Sequence, residues 1–471
     1  MFYPFLYLGC EVVVLHKNNR CMFFSHIFLQ QTLIVVWGVL LGVWGVSAQT
    51  YDLKTSIEQA LEIHPGVQAA QVDIAIAQSQ LDQAKAARFL PKLEVRSVLG
   101  PSPEARGNAL VGDTNLSDLQ VFSQTEATFL QPLYTFGKLS GARDAASAGV
   151  LAYEAGLVKS KADLELQVFE VFYGVHLSKA LWELAQEAQG DFQKARDFVA
   201  EKLDNDEGDF TYVDLARIDR FAFDVTEKVN EAQKAQDLAQ SAMRLLLGLG
   251  ASDSLSLGGA LVALDVDILP LDHYLERANV RAEMKQLNAV AQVRESLVQV
   301  AKSDLYPQLF LAGQFKYSYA PNRDDQKSPF AYDPLNLLQT GAVIGFQQSL
   351  SFGLTSAKVK KARLEHQKII YQTDLARKGM AIEIEKIYRE LKEAESNLVA
   401  VEKARRAARR WFIAVRDGFN GGFEKASDMI DAVKEYGIIR AKYFEAVYNF
   451  NKAWAKLQRA TGQPIVQSLG L

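Results

Sequence analysis

The chain has 471 residues, of which 23% are charged, and a formal net charge of −4. That length holds about two or three ordinary domains or two large homologous halves, and the charge balance excludes the basic footprint of a nucleic-acid binder. Both cysteines, Cys10 and Cys21, fall near the start, so the rest of the chain has no disulfide; this leaves an oxidising compartment open. The six histidines are scattered without metal-ligand spacing.

The stretch Thr32 to Val46 is almost wholly apolar and runs into Val46-Ser47-Ala48 before Gln49, a small-residue cleavage pattern. It is shorter than the ~20 apolar residues of a spanning helix, so residues 1–48 are expected to be an export signal, with Met1 or Met22 as the start. Removing them takes away Lys17, Arg20 and Glu11, which leaves the mature chain at −5. No cysteine follows to carry a lipid, and nothing after residue 48 reads as a transmembrane helix.

After a short lead-in, Thr55-Ser56-Ile57-Glu58 has the form of a capping box and predicts a helix start. His64-Pro65 interrupts that helix, and a second, Ala- and Gln-rich run continues to about Arg88. Pro91 ends it. Alternation follows: Leu93, Val95, Ser97 and Leu99 against Glu94, Arg96 and Val98, then Val121, Thr125, Ala127 and Phe129 against Gln124, Glu126 and Thr128. From Lys138 to about Leu203 the pattern is helical, with Leu157, Leu164, Val168, Val171, Val175 and Trp182 on a coiled-coil-like seam. Such a helix is about 100 Å long. A turn at Asp204 to Asp209 reverses the chain into a helix that ends near Gly248 and Gly250.

The cycle then repeats. Pro91 and Gly137 stand 46 residues apart, as do Pro307 and Gly353, at an offset of 216. Gly208 and Gly422, Asp214 and Asp428, and Gly248 and Gly462 follow at an offset of 214. The expected organisation is a first repeat over 49–248 with strands near 92–99 and 121–131, a linker at 249–270, a second repeat over 271–462 with strands near 308–319 and 340–350, and a tail at 463–471. Ile384, Tyr388, Leu391 and Leu398 form the seam of the second long helix.

Alternation of this kind suits either a soluble half-buried sheet or a water-filled membrane barrel. Each strand region is about ten residues, enough to cross a bilayer when tilted. One chain supplies only four strands, whereas single-chain barrels start at about eight and an open edge cannot face lipid. Strands that cross a membrane here must be pooled among several copies.

The duplicated order, Pro-x-Leu entering the first strand of each half, Gln131-Pro132-Leu133-Tyr134-Thr135-Phe136-Gly137 entering the long helix, and Gly422 followed by Asp428-Met429-Ile430-Asp431-Ala432 resemble the TolC-type outer-membrane efflux protein family (outer membrane factors). The resemblance covers residues 53–462. It implies an α+β membrane protein in which long antiparallel coiled-coil helices form an α-barrel. It also implies a homotrimer whose chains each give four strands to a 12-stranded β-barrel in outer-membrane lipid. The implied function is a passive exit duct for efflux or type I secretion, extending into the periplasm and working with a periplasmic adaptor and an inner-membrane pump. It implies no cofactor, metal or enzyme activity.

By the same resemblance Asp428 and Asp431 match the acidic pair of the tunnel constriction, and Gly208, Asp214, Phe419 and Gly422 fall at the periplasmic tip where an adaptor is met. An i, i+3 pair shares one helix face; such acids also stabilise a helix N-terminus, and the two readings are compatible. Family members latch this stretch with Tyr and Arg, where this chain has Phe419 and Glu424. The basic run Lys403, Arg405, Arg406, Arg409 and Arg410 fits an adaptor contact, a contact with the acidic tip of a neighbouring chain, or a solvated helix face. Tyr317, Tyr319, Phe330 and Tyr332 fit an aromatic girdle or loop packing. No phosphate loop, nucleophile elbow or acid–base pair is legible. The alternative function is a periplasmic coiled-coil adaptor or scaffold, which has no need of four bilayer-length strands.

Overall fold

Asp52, rather than Thr55, caps the first helix in the computed structural model, which describes residues 50–89, 91–107, 111–205, 210–325 and 333–470. The expected export signal lies outside the described residues. Asp52 accepts the Thr55 N–H at 2.7 Å, and the Thr55 hydroxyl accepts the Asp52 N–H at 3.0 Å. The capping box thus sits three residues upstream of the expected one, because aspartate serves as N-cap as well as threonine does. Helix α1 (Leu53–Ile63) yields to α2 (Pro65–Phe89), whose first residue is the proline. The missing N–H at that place costs no helical bond, and the His64 ring accepts the Gly66 N–H at 3.1 Å.

Strands β1 (Lys92–Gly107) and β2 (Gly112–Tyr134) form a hairpin longer than the alternation predicts. Gly100-Pro101-Ser102-Pro103 reads as a turn by composition but lies in β1. That strand is a sheet edge, where a proline removes no ladder hydrogen bond. A bulge follows between Pro103 and Glu104. In the second half β3 (Gln308–Tyr319) pairs with β4 (Leu337–Gln347), which begins and ends three residues before the expected strand. The four strands make one antiparallel sheet in the order β1-β2-β3-β4. Beyond it, Asn322 is buried and donates to the carbonyls of Ser102 at 3.2 Å and Asp118 at 3.3 Å, strapping the second loop onto the first hairpin.

Helices α3 (Lys138–Asp204) and α7 (Leu354–Asn420) have 67 residues each, and α4 (Tyr212–Leu246) and α8 (Ala426–Ala460) have 35 each. The duplication seen in the sequence is therefore kept to the residue in the lengths of these four helices. Both long helices start at a glycine with positive φ, 94° at Gly137 and 81° at Gly353. A side chain is strained there, which accounts for the repeated Phe-Gly. At the first junction Phe136 stacks on Tyr306 with centroids 5.1 Å apart. The remaining α-helices among the described residues are α5 (Leu271–Glu276), α6 (Ala282–Ser303) and α9 (Ile465–Ser468), with a 3-10 turn at Arg277–Val280 between α5 and α6.

The predicted seams converge on one core midway along the long helices. Leu164, Val168 and Val175 of α3 and Ile384 and Leu391 of α7 are buried together with Ile57, Met243, Phe169, Trp454 and Leu457. Each such burial contributes about 1.5–3 kcal/mol. The linker is drawn over this core by Asn451, which is fully buried; it accepts the Leu264 N–H at 3.0 Å and donates to the Val262 carbonyl at 2.8 Å. The fold is the expected one: two helix–strand–strand–helix halves with long antiparallel helix pairs.

Candidate functional site: sheet faces and helical tip

Residues opposite one another in an antiparallel ladder share a face, so the register sorts the sheet into two surfaces. One carries the rungs Leu93–Phe129–Gly313–Ala342, Val95–Ala127–Phe315–Thr340 and Ser97–Thr125–Tyr317–Leu338. The other carries Glu94–Thr128–Gln314–Gly341, Arg96–Glu126–Lys316–Gln339 and Val98–Gln124–Ser318–Leu337. The first face is apolar and uncovered: Val95 is 65% exposed, Ile344 76% and Phe346 74%. A soluble half-buried sheet would bury these side chains, so that reading is set aside. An apolar band outside and a polar face inside are the surfaces of a membrane barrel wall. Tyr317 and Tyr319 stand exposed on the apolar face; Phe330 and Tyr332 lie outside the described residues. Among those residues no helix is long and apolar enough to cross a membrane.

The opposite ends of the long helices form a tip with its own small core. Phe419 is 3% exposed and packs against Phe198 at 5.5 Å and Phe210 at 5.6 Å, over Val199, Ile218 and Ile430. Its side chain is therefore an internal support of the turn, not an exposed contact. Gly422 closes the turn at φ 76°, with its N–H on the Phe419 carbonyl at 3.0 Å. Gly208 lies outside the described residues. Tyr212, Val213 and Phe423 are exposed at this end, Phe423 by 88%.

The two helices that leave the tip start differently. Thr211 caps α4, and Asp214 completes a capping box, accepting the Thr211 hydroxyl at 2.7 Å and the Thr211 N–H at 3.1 Å. In the second half Lys425 stands at the cap and makes no side-chain cap bond. Asp428, half-buried at the place of Asp214, and Asp431, exposed one turn on, have no ion-pair or side-chain partner among the described residues. Within the basic run, Arg405 and Arg406 both bind Glu402 at 3.0 Å, and Arg405 also lies over the Tyr443 ring at 4.2 Å. Lys403, Arg409 and Arg410 are exposed.

A charged junction near the core joins four elements and was not legible in the sequence. Arg281, 3% exposed, donates to Glu383 at 2.6 Å and to Glu283 at 3.2 Å; Arg459 donates to Glu283 at 2.7 Å and to Asp163 at 2.5 Å. Burial pushes the Asp163 and Glu283 carboxyls up, but the bonds and charges around them (Lys159 and Arg459, Arg281 and Arg459) hold both below the usual range. Nearby Glu165 accepts the Val466 N–H at 2.9 Å and anchors α9, with burial pushing its carboxyl up. His176 is buried against Phe172, and burial lowers its pKa.

A sheet with a lipid-type face, continued by paired rods of about 100 Å, defines a membrane channel subunit of mixed β-barrel and helical-tunnel architecture. The profile described as "Outer membrane efflux protein" matches residues 56–249 and 276–463, one match per repeat. The chain belongs to the outer membrane efflux protein family, and it is an outer-membrane channel that extends into the periplasm; the adaptor or scaffold reading is set aside. No curated protein matches the chain by sequence. Among solved structures it is similar to the outer membrane protein VceC of Vibrio cholerae, at 18% identity over 87% of this chain and 96% of that one with a TM-score of 0.71. It is also similar to the Campylobacter jejuni CmeC outer membrane channel, at 14% identity over 87% and 85% with 0.72. The open state of the Neisseria gonorrhoeae MtrE outer membrane channel matches at 16% identity over 88% and 89%, also with 0.72.

Proposed function

We propose that three copies of the chain pool their four-stranded sheets into a 12-stranded barrel and continue as a helical tunnel through the periplasm. The observation that carries this reading is a sheet with two open edges, β1 and β4, and one uncovered apolar face. Lipid offers no partner for edge N–H and C=O groups, so strands from other copies must satisfy them. The assembly is a passive exit duct for efflux or type I secretion and performs no catalysis. A periplasmic adaptor engages the tip and an inner-membrane pump supplies the energy. Exposed Tyr212, Val213 and Phe423 offer the adaptor an apolar surface. Asp214, Gly422 and buried Phe419 hold that surface in shape.

Asp428 and Asp431 form the constriction. Three copies bring six carboxylates to one bore, and rings of like charge set which ions pass. The absence of a cap partner for Asp428 supports this role over helix capping. Conductance in planar bilayers tests it: divalent cations added from the tip side should block the current, and Asp428→Ala with Asp431→Ala should weaken both block and cation preference while the trimer persists. Block and preference that survive the double replacement would remove the ring.

A further inference from the structure

Glu126 lies directly opposite Arg96 on one side and Lys316 on the other, on the polar face of the sheet. The rung therefore holds two cations and one carboxylate before neutral Gln339 ends it. Opposite residues stand about 4.5–5.5 Å apart, close enough for long side chains to pair. Yet Glu126 takes its hydrogen bond from Gln314 Nε2 at 3.0 Å. Arg96 and Lys316 have no ion-pair or hydrogen-bond partner among the described residues. Neighbouring rungs do not compensate. Glu94 is held by Lys92 at 2.5 Å on its own strand, and Val98, Gln124, Ser318 and Leu337 carry no charge.

We propose that Arg96 and Lys316 form a cationic belt inside the barrel that favours solutes bearing a carboxylate, sulfonate or phosphate group. The inference rests on the trimeric channel reading, which turns the polar face into a lumen. Each chain then leaves one positive charge unmatched on this rung, and a ring of three copies repeats it around a water-filled bore with low-dielectric walls. Such walls focus the field of fixed charges, and rings of basic side chains select anions. The belt stands in series with the acidic tip and has the opposite sign. A cation-selective entrance thus feeds an anion-selective exit, and cargo carrying both charges meets an attractive ring at each height.

The experiment is the reversal potential of the purified protein in planar bilayers under a KCl gradient. Arg96→Gln with Lys316→Gln should shift it toward cation selectivity, and Glu126→Gln should shift it toward anions. Both shifts should fade near 1 M salt, where the Debye length falls to about 3 Å. On the Asp428→Ala, Asp431→Ala background, which lacks the acidic tip, the same two shifts should persist. Opposite signs from the two variants cannot come from a shared folding defect. A conducting channel whose reversal potential is unchanged by all of them, or moved in one direction by both, overturns the belt alone. A protein that carries no current overturns the channel reading and the belt with it.

Discussion

The Thr211 hydroxyl donates to Asp214 at 2.7 Å, whereas the residues at the same places in the second repeat, Lys425 and Asp428, make no such bond. The same aspartate position therefore closes a helix cap in one half and is left unused by the cap in the other. Thr211→Ala should lower stability by about 1 kcal/mol, the usual cost of a lost N-cap. Asp428→Ala should stay within about 0.5 kcal/mol while altering ion block. Denaturant titration of each variant beside its bilayer current separates the two roles.

Phe419 supports the tip turn from inside. Phe419→Ala removes the ring that fills the space between Phe198 and Phe210 and should cost about 3–5 kcal/mol locally. Faster proteolysis near residues 205–211 and 421–425 should follow, with a larger resting conductance and no change in barrel strand content by circular dichroism.

Gly313 should tolerate no side chain. It lies opposite Phe129, whose ring covers it, and a Cβ there would fall inside that ring. Gly313→Val should impair barrel assembly, since overpacking a fixed site costs about 1–3 kcal/mol or more. Adding Phe129→Ala should restore assembly in part. Native gel migration of the three variants measures this, and equal impairment in single and double variants would place the fault elsewhere.

Much of this was legible in the sequence because duplication exposes it. The offset of 216 between the Phe-Gly pairs marked both strand-to-helix turns, and period-2 alternation named the apolar face. The ends of β1 were not legible, since Pro101 and Pro103 signal a turn unless the strand is known to be an edge. Phe419 reads as a tip surface residue until Phe198 and Phe210 arrive from other elements to bury it. The Arg281 junction draws on Asp163, Glu383 and Arg459, positions too far from Arg281 in the chain for any local pattern to join.

That junction should give the helical region an acid limit. Asp163 and Glu283 have folded pKa values below their unfolded values of about 3.9 and 4.3. A group of this kind contributes stability that is present above the unfolded pKa and lost as pH falls through the folded one. Helix content should accordingly weaken below about pH 4, and Glu283→Gln should flatten that dependence. At neutral pH Glu283→Ala, which takes one of two carboxylate partners from buried Arg281 and from Arg459 and leaves Glu383 and Asp163 in place, should cost about 1–3 kcal/mol.

The mass of the detergent-purified protein tests the central claim most directly, because everything from the closed barrel to the charged rings requires pooled strands. Light scattering corrected for the micelle should give three chains per particle. A stable monomer that keeps its strand content would contradict the account, since a four-stranded sheet with open edges would then be satisfied alone.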